Sequence, residues 1–362
     1  MKKIWSLTLA LLLVVALVSA GCSGTDEGTG SEEGAAVSLG LGVINSIAKS
    51  KSYSKGDDGS ETLPLGQVDT VMAAALFDED GRVVDVIIDT AQTKVNFNQD
   101  FQVTSDLSAP GKTKAELGPE YGMAPVSGIG KEWNEQIAEL EKWMVGKTVE
   151  EIKALPVKQR DEAHPAVPDD PELSSLVTIT VHEYIEAVEK AYNNRVDVEN
   201  AVKLGLGHNI SIAKSKGYSK DEASGTETLP LAQVDTVMAA TAFDGDGKVA
   251  GVIIDTAQVK VNFDAEGQVT SDLSDHPKTK AELGPDYGMG RVSEIGKEWN
   301  EQIAELEKWM VGKTVEEIKA LPVKQRDEAH PAVPDDPELS SLVTMTVQDY
   351  LAAVEEAFAN TR

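Results

Sequence analysis

The hydroxyls best placed for chemistry lie in one short stretch that occurs twice. Glu172-Leu173-Ser174-Ser175-Leu176-Val177-Thr178-Ile179-Thr180 has its counterpart in Glu338 to Thr346. Thr180 with Glu183, and more loosely Thr346 with Asp349, have the spacing of a helix capping box. Thr178 and Thr344 are therefore expected just ahead of a helix N-terminus. There, unpaired N–H groups and the positive end of the helix dipole favour a phosphate. A hydroxyl at that place can be esterified by phosphate; a plain strand or cap threonine is the other reading.

Aromatic residues and histidines supply the remaining candidates. Tyr121 and Tyr287 sit in a Gly-Pro-x-Tyr-Gly-Met loop whose glycines allow close backbone approach to a ligand. Trp133 and Trp299 fall on an apolar helical stripe and are expected in the core, with Trp143 and Trp309 at its flank. His164 and His330 each precede a proline in a charged loop and are expected to be solvated. No second histidine stands at ligand spacing, so no metal site is expected. A serine nucleophile elbow, a phosphate-cradling glycine loop and a dinucleotide fingerprint are all missing from the sequence.

The elements that must position these residues can be read from periodicity. Val68 to Phe77, Arg82 to Asp89 and Lys94 to Phe97 are rich in Val, Ile, Thr and Phe. Asp78-Glu79-Asp80-Gly81, repeated as Asp244-Gly245-Asp246-Gly247, supplies a hairpin turn. Trp133, Ile137, Leu140 and Met144 mark one face of a helix from about Lys131 to Val145, stopped by Gly146. A short helix is expected from Thr148 to Leu155. A proline-punctuated connection follows from Gln159 to Pro171, then an apolar run from Leu176 to Ile179 and a last helix from Val181 to Tyr192. Strands first and helices second make an α+β fold, an antiparallel sheet with helices packed on one face.

Every residue from Ile129 to Thr178 recurs, letter for letter, from Ile295 to Thr344. A period this long points to a duplicated domain and not to a solenoid unit. The organisation expected is copy 1 at 37–193, a polar linker at 194–199 and copy 2 at 200–362.

The first residues are of another kind. Lys2 and Lys3 precede an apolar run from Leu7 to Val18, closed by Ser19-Ala20-Gly21-Cys22. That is a signal peptide over 1–21, too short for a comfortable membrane span. Its small residues lead into the only cysteine of the chain, as in the lipobox of bacterial lipoproteins, with Ser19 at the position usually held by an aliphatic residue. Lipid is thus expected on Cys22, with residues 22–36 as a flexible tether and everything beyond on the extracellular face of the cytoplasmic membrane. The other partner class to consider is nucleic acid, and 61 acidic against 33 basic residues, a formal net charge of -28, exclude it as a favourable ligand.

The motif of hydroxyl, two residues, Thr178 and a further hydroxyl resembles the flavinylation motif of FMN-binding domains. The two copies together resemble the double-domain flavin lipoproteins of Gram-positive bacteria that serve extracellular electron transfer. The resemblance implies FMN on each copy, joined through a phosphodiester to Thr178 and Thr344. Glu172 and Glu338 stand for the family's acidic residue and Ser175 and Ser341 for its first hydroxyl, with Tyr121 and Tyr287 as candidate pocket residues. It also implies a flavin transferase that loads the cofactor and a membrane reductase that donates electrons. This sequence departs from the motif at Leu176 and Val177, where the family has Gly and Ala, and at Glu172 in place of Asp. The competing expectation is a binding or structural surface lipoprotein that has lost its flavin.

Overall fold

The computed structural model describes residues 35–362. The expected signal peptide, Cys22 and the expected tether up to residue 34 lie outside the described residues. The first strand, β1 (Ala36–Ser46), is followed by β2 (Leu65–Phe77) and β3 (Val83–Asn96). Asp78 Oδ1 accepts from the Arg82 backbone N–H at 2.8 Å, and Gly81 takes φ of 76°, so the expected turn closes the β2–β3 hairpin. Lys94 to Phe97 is not a separate strand, because β3 runs unbroken to Asn96.

A short α1 (Lys114–Leu117), not expected from the sequence, precedes the three expected helices, α2 (Trp133–Met144), α3 (Val149–Lys153) and α4 (His182–Asn193). The apolar run from Leu176 to Ile179 forms turns rather than a strand. After β4 (Val196–Ala201), the same sequence of elements returns: β5 (Lys203–Ser211), β6 (Leu231–Phe243), β7 (Val249–Asn262), α5 (Lys280–Leu283), α6 (Trp299–Met310), α7 (Val315–Lys319) and α8 (Gln348–Ala359). The fold is mixed α and β with antiparallel sheets, in the orders β3-β2-β1-β4 and β7-β6-β5.

The segment between the repeats is not loose. Residues expected as a polar linker form β4, which pairs with β1 through Ser38 opposite Asp197 and Leu39 opposite Val196. Ala36, placed in the tether by its neighbours' composition, opens β1 opposite Ala201. Pairing satisfies backbone groups on the outer edge of β1 that would otherwise invite another chain.

Each sheet is buried on both faces. Along β2, Val68, Met72, Ala74 and Leu76 point one way, and Val71, Ala73, Ala75 and Phe77 point the other. The second set meets Trp133, Ile137, Leu140 and Val188 of α2 and α4. The first set meets the other repeat's sheet, in a core that joins Leu39, Leu41 and Phe97 to Leu204, Leu206 and Phe263. Helices, sheet, sheet and helices are thus stacked in layers, and the described residues 35–362 belong to one compact unit. The Phe97 and Phe263 rings lie 5.2 Å apart at the centre of the sheet-to-sheet core. A fully buried side chain of that size contributes about 1.5–3 kcal/mol. The seam is repeated across the molecule: Tyr53 N–H donates to Gly267 O at 2.9 Å, and Tyr218 N–H to Phe101 O at 3.0 Å.

Two glycines on β1 set how closely α4 lies. A Cβ on Gly40 would stand 2.1 Å from Ala191 O, and one on Gly42 1.9 Å from Ala187 O. Gly205 and Gly207 admit α8 in the same way. Helix backbone therefore rests directly on strand backbone, which fixes where the chain enters α4 and so where Thr178 comes to lie.

Candidate functional site

The stretch from Asp170 to Thr178 is a compact coil held by its own backbone. Ser174 N–H donates to Asp170 O and Val177 N–H to Leu173 O, both at 2.8 Å. Leu173 and Val177 turn inward, 2 % and 1 % exposed, and anchor the coil in the core between sheet and helices. Glu172 and Ser175 turn outward. The bulky Val177, which departs from the small residue of the flavinylation motif, is thus a core side chain.

Thr178 is half-buried, and its partners are not those of a helix N-terminus. Its backbone N–H donates to Gln136 Oε1 at 2.9 Å, and its hydroxyl to the same atom at 3.2 Å. Arg160 Nη1 donates to the Thr178 carbonyl at 2.9 Å. Thr344 repeats the arrangement with Gln302, at 2.9 and 3.4 Å, and with Arg326 at 2.9 Å. Gln136 is fully buried on α2, and its amide donates to Lys131 O and Ser127 Oγ at 3.2 and 3.3 Å.

The expected capping boxes are not formed. Val181 and Val347 are the residues that precede α4 and α8, with no side-chain cap. Val181 N–H is taken by Ala166 O, and the Thr180 and Thr346 hydroxyls are buried without a partner. The helices begin later than the capping spacing requires, so Thr180 faces inward instead of closing a helix end.

Beside Thr178 lies a cavity of about 510 Å³, lined by Met123, Val126, Gln136, Arg160, His164 and Ile179. That volume is in the range of small-molecule sites. In the second repeat a cavity of about 290 Å³ opens at the neighbouring position, among Lys280, Tyr287, Trp299, His330, Thr346 and Tyr350. Glu172 is elsewhere: it lines a separate hollow of about 260 Å³ with Trp143 and Leu176. The motif's acidic residue and its last threonine are therefore not brought together, and Ser175 faces neither cavity.

The aromatic residues divide as their spacing suggests. Trp133 and Trp299 are core residues, each donating its indole N–H to a tyrosine hydroxyl, Tyr184 or Tyr350, at 2.9 Å. Trp143 and Trp309 are half-buried under Lys147 and Lys313. Tyr121 and Tyr287 are half-buried as well, and burial pushes both phenols up. Lys114 reaches between the Tyr121 and Trp133 rings, 5.1 and 5.5 Å from their centres, and Lys280 does the same in the second repeat at 4.9 and 5.5 Å. An ammonium over two ring faces is a fixed cation, and Lys280 lines the second-repeat cavity while Lys114 does not border the one at Thr178.

His164 and His330, expected to be solvated, are only about a third exposed, at 34 % and 31 % of the side chain. His164 Nδ1 is hydrogen-bonded to Asp161 Oδ1 at 2.6 Å, which holds the Asp161 carboxyl below the usual carboxylate range. His164 lines the cavity beside Thr178, whereas His330 lines the second-repeat cavity, which Thr346 borders but Thr344 does not. Gln136 and Arg160 were not singled out from the sequence. Gln136 carried a signal, a polar residue three places from Trp133 on the apolar stripe, whereas nothing local pairs Arg160 with Thr178.

The residues present fit a phosphate ester at Thr178. The residue lines the cavity, a guanidinium is bonded to it, and esterification removes only the hydroxyl proton from Gln136, leaving the backbone N–H in place. No family model, no curated protein and no solved structure matches the chain. Among the described residues no helix is long and apolar enough to cross a membrane.

Proposed function

We propose that the chain is a membrane-anchored extracellular electron carrier with FMN on each of two tandem copies of one domain, fused through their sheet faces. In this reading Cys22 carries the lipid and residues up to the first strand form the tether. A flavin transferase joins FMN to the Thr178 and Thr344 hydroxyls through phosphodiester bonds. A membrane reductase supplies electrons, and the bound flavin would supply the redox chemistry.

The observation that carries this reading is half-buried Thr178 lining a cavity of about 510 Å³, with Arg160 bonded to its carbonyl. The protein's residues would act by position and charge. Gln136 fixes the threonine through its backbone N–H, and Arg160 offsets phosphate charge on a chain of net charge -28. Met123, Val126 and Ile179 offer apolar surface for a planar ring. Tyr287 lines the second-repeat cavity, and Tyr121 stands two residues before Met123 of the first-repeat cavity.

The test is intact mass of protein produced together with a flavin transferase. Two additions of FMN less water are expected, one lost in Thr178→Ala, the other in Thr344→Ala and both in the double variant. A colourless protein of unmodified mass would overturn the proposal. The second reading, a structural lipoprotein without flavin, draws on the burial of Leu173 and Val177, which gives the motif a packing reason of its own.

A further inference from the structure

We infer that Glu116, His208 and Glu356 form a binding site for one divalent metal ion of the borderline class that accepts imidazole and carboxylate together, at the seam between the two repeats. Glu116 comes from α1 of the first repeat, His208 from β5 and Glu356 from α8 of the second. The site is separate from the threonine cavities and does not depend on the flavin reading.

The geometry is that of ligands around a missing centre. The His208 side chain is only 6 % exposed, and its Nε2 lies 3.5 Å from Glu116 Oε2 and 3.5 Å from Glu356 Oε1. One ligand atom from each of the three residues falls within 4.8 Å of the others. Among the described residues no hydrogen bond reaches either ring nitrogen, and 3.5 Å is well beyond the roughly 2.7–2.9 Å of a charge-assisted bond. It is close to the edge of a tetrahedron whose corners lie about 2.0–2.2 Å from a central Zn²⁺.

Both carboxylates are already oriented by backbone. Glu356 Oε2 accepts the His208 backbone N–H at 2.7 Å, which leaves Oε1 facing the imidazole. Glu116 is held by the Thr113 N–H at 2.8 Å, in the capping box of α1. Such supporting bonds fix metal ligands in place. A cavity of about 340 Å³, lined also by Asp89 and Arg362, adjoins the cluster and leaves room for water as a further ligand. The Arg362 guanidinium is turned to Glu141 and is not paired with either ligand carboxylate.

The repeat provides an internal comparison. On the opposite seam Val43 stands where His208 does, Glu282 where Glu116 does and Lys190 where Glu356 does. Lys190 Nζ there donates to Glu282 Oε1 at 2.8 Å and to Val43 O at 3.0 Å. A fixed ammonium thus neutralises that seam. In the metal-site seam the ammonium is replaced by a carboxylate, and an imidazole stands at the same place. Where the opposite seam places an ammonium, this seam sets two carboxylates beside an imidazole, so the histidine supplies a metal ligand where the lysine supplied charge.

The test uses the full chain, stripped with chelator and dialysed against Zn²⁺ alone, with metal content and thermal unfolding as readouts. One tightly bound Zn²⁺ per chain and a metal-dependent rise in Tm are expected. Glu356→Lys rebuilds the ion pair of the opposite seam. It is expected to stay folded without metal and to bind Zn²⁺ at least about tenfold more weakly, and His208→Val is expected to do the same. Wild-type protein without stoichiometric Zn²⁺, or variants that bind it as wild type does, would overturn the site. Thr178→Ala with Thr344→Ala should bind Zn²⁺ unchanged, which separates this inference from the flavin reading.

Discussion

Gln136 Oε1 accepts both the backbone N–H and the hydroxyl of Thr178, so one buried amide on α2 decides where the motif threonine stands. Gln136→Met keeps the volume and removes the acceptor. An unsatisfied buried N–H costs about 1–3 kcal/mol. Urea unfolding should show a loss of that size, and the Thr178 amide should exchange with solvent faster than in the wild type. A variant with unchanged stability and unchanged exchange would show that Gln136 does not position the threonine. Gln302→Met should have the same effect at Thr344.

Glu307 gives the protein a pH dependence of a definite sign. Burial pushes its carboxyl up to about 8, although Ile254 N–H donates to it at 2.7 Å. Its counterpart Glu141 is pushed only to about 7, because Arg362 lies beside it. A carboxyl whose pKa is higher in the folded state favours folding at low pH. Its contribution is fully present below the ordinary value near 4.5 and is lost as pH rises toward 8, by at most about 5 kcal/mol. Glu307→Gln mimics the protonated form and keeps an acceptor for Ile254. The variant and wild type should melt together near pH 4, with the variant several degrees higher at pH 9. A difference that does not vary with pH would rule this out.

Gly42, like Gly207 in the second repeat, marks a very close approach of helix to strand. A Cβ there meets Ala187 O at 1.9 Å, and since both partners are backbone, relief requires α4 to move. Gly42→Ala should lose about 3 kcal/mol or more. The displacement should also reach the segment before α4, so chemical shifts of Thr178 to Val181 should change while those of the β2–β3 turn do not. A neutral substitution would contradict the packing.

The parts of the fold legible in the sequence were those set by local chemistry. The Asp78 to Gly81 turn, the Trp133 stripe and the order of helices follow from residues near one another. β1 was not legible, because Gly40 and Gly42 interrupt its apolar pattern and exist for contact with α4, a distant element. The burial of both sheet faces had a signal in the unbroken run from Val71 to Phe77, which a half-exposed strand would not carry. Thr180 matched a cap by spacing alone, but where a helix starts depends on how α4 docks. The cluster of Glu116, His208 and Glu356 joins residues from opposite ends of the chain, and no local pattern brings them together.

The shared core makes each repeat incomplete alone. Residues 35–195 expressed without the rest would present Leu39, Leu41, Val43, Met72, Ile87, Val95 and Phe97 to water, all buried in the intact chain. A face of that kind must be covered or it associates. It would also lack β4, and so expose the β1 edge. The fragment is therefore expected to sediment as a dimer or larger, and to become more soluble and monomeric when Phe97→Lys and Leu41→Lys are introduced. In the full chain the same pair of substitutions should be strongly destabilising, since each lysine would be driven between the sheets. A monomeric, stable fragment with the native face would mean that the two sheets do not depend on one another, and the four-layer packing would have to be abandoned.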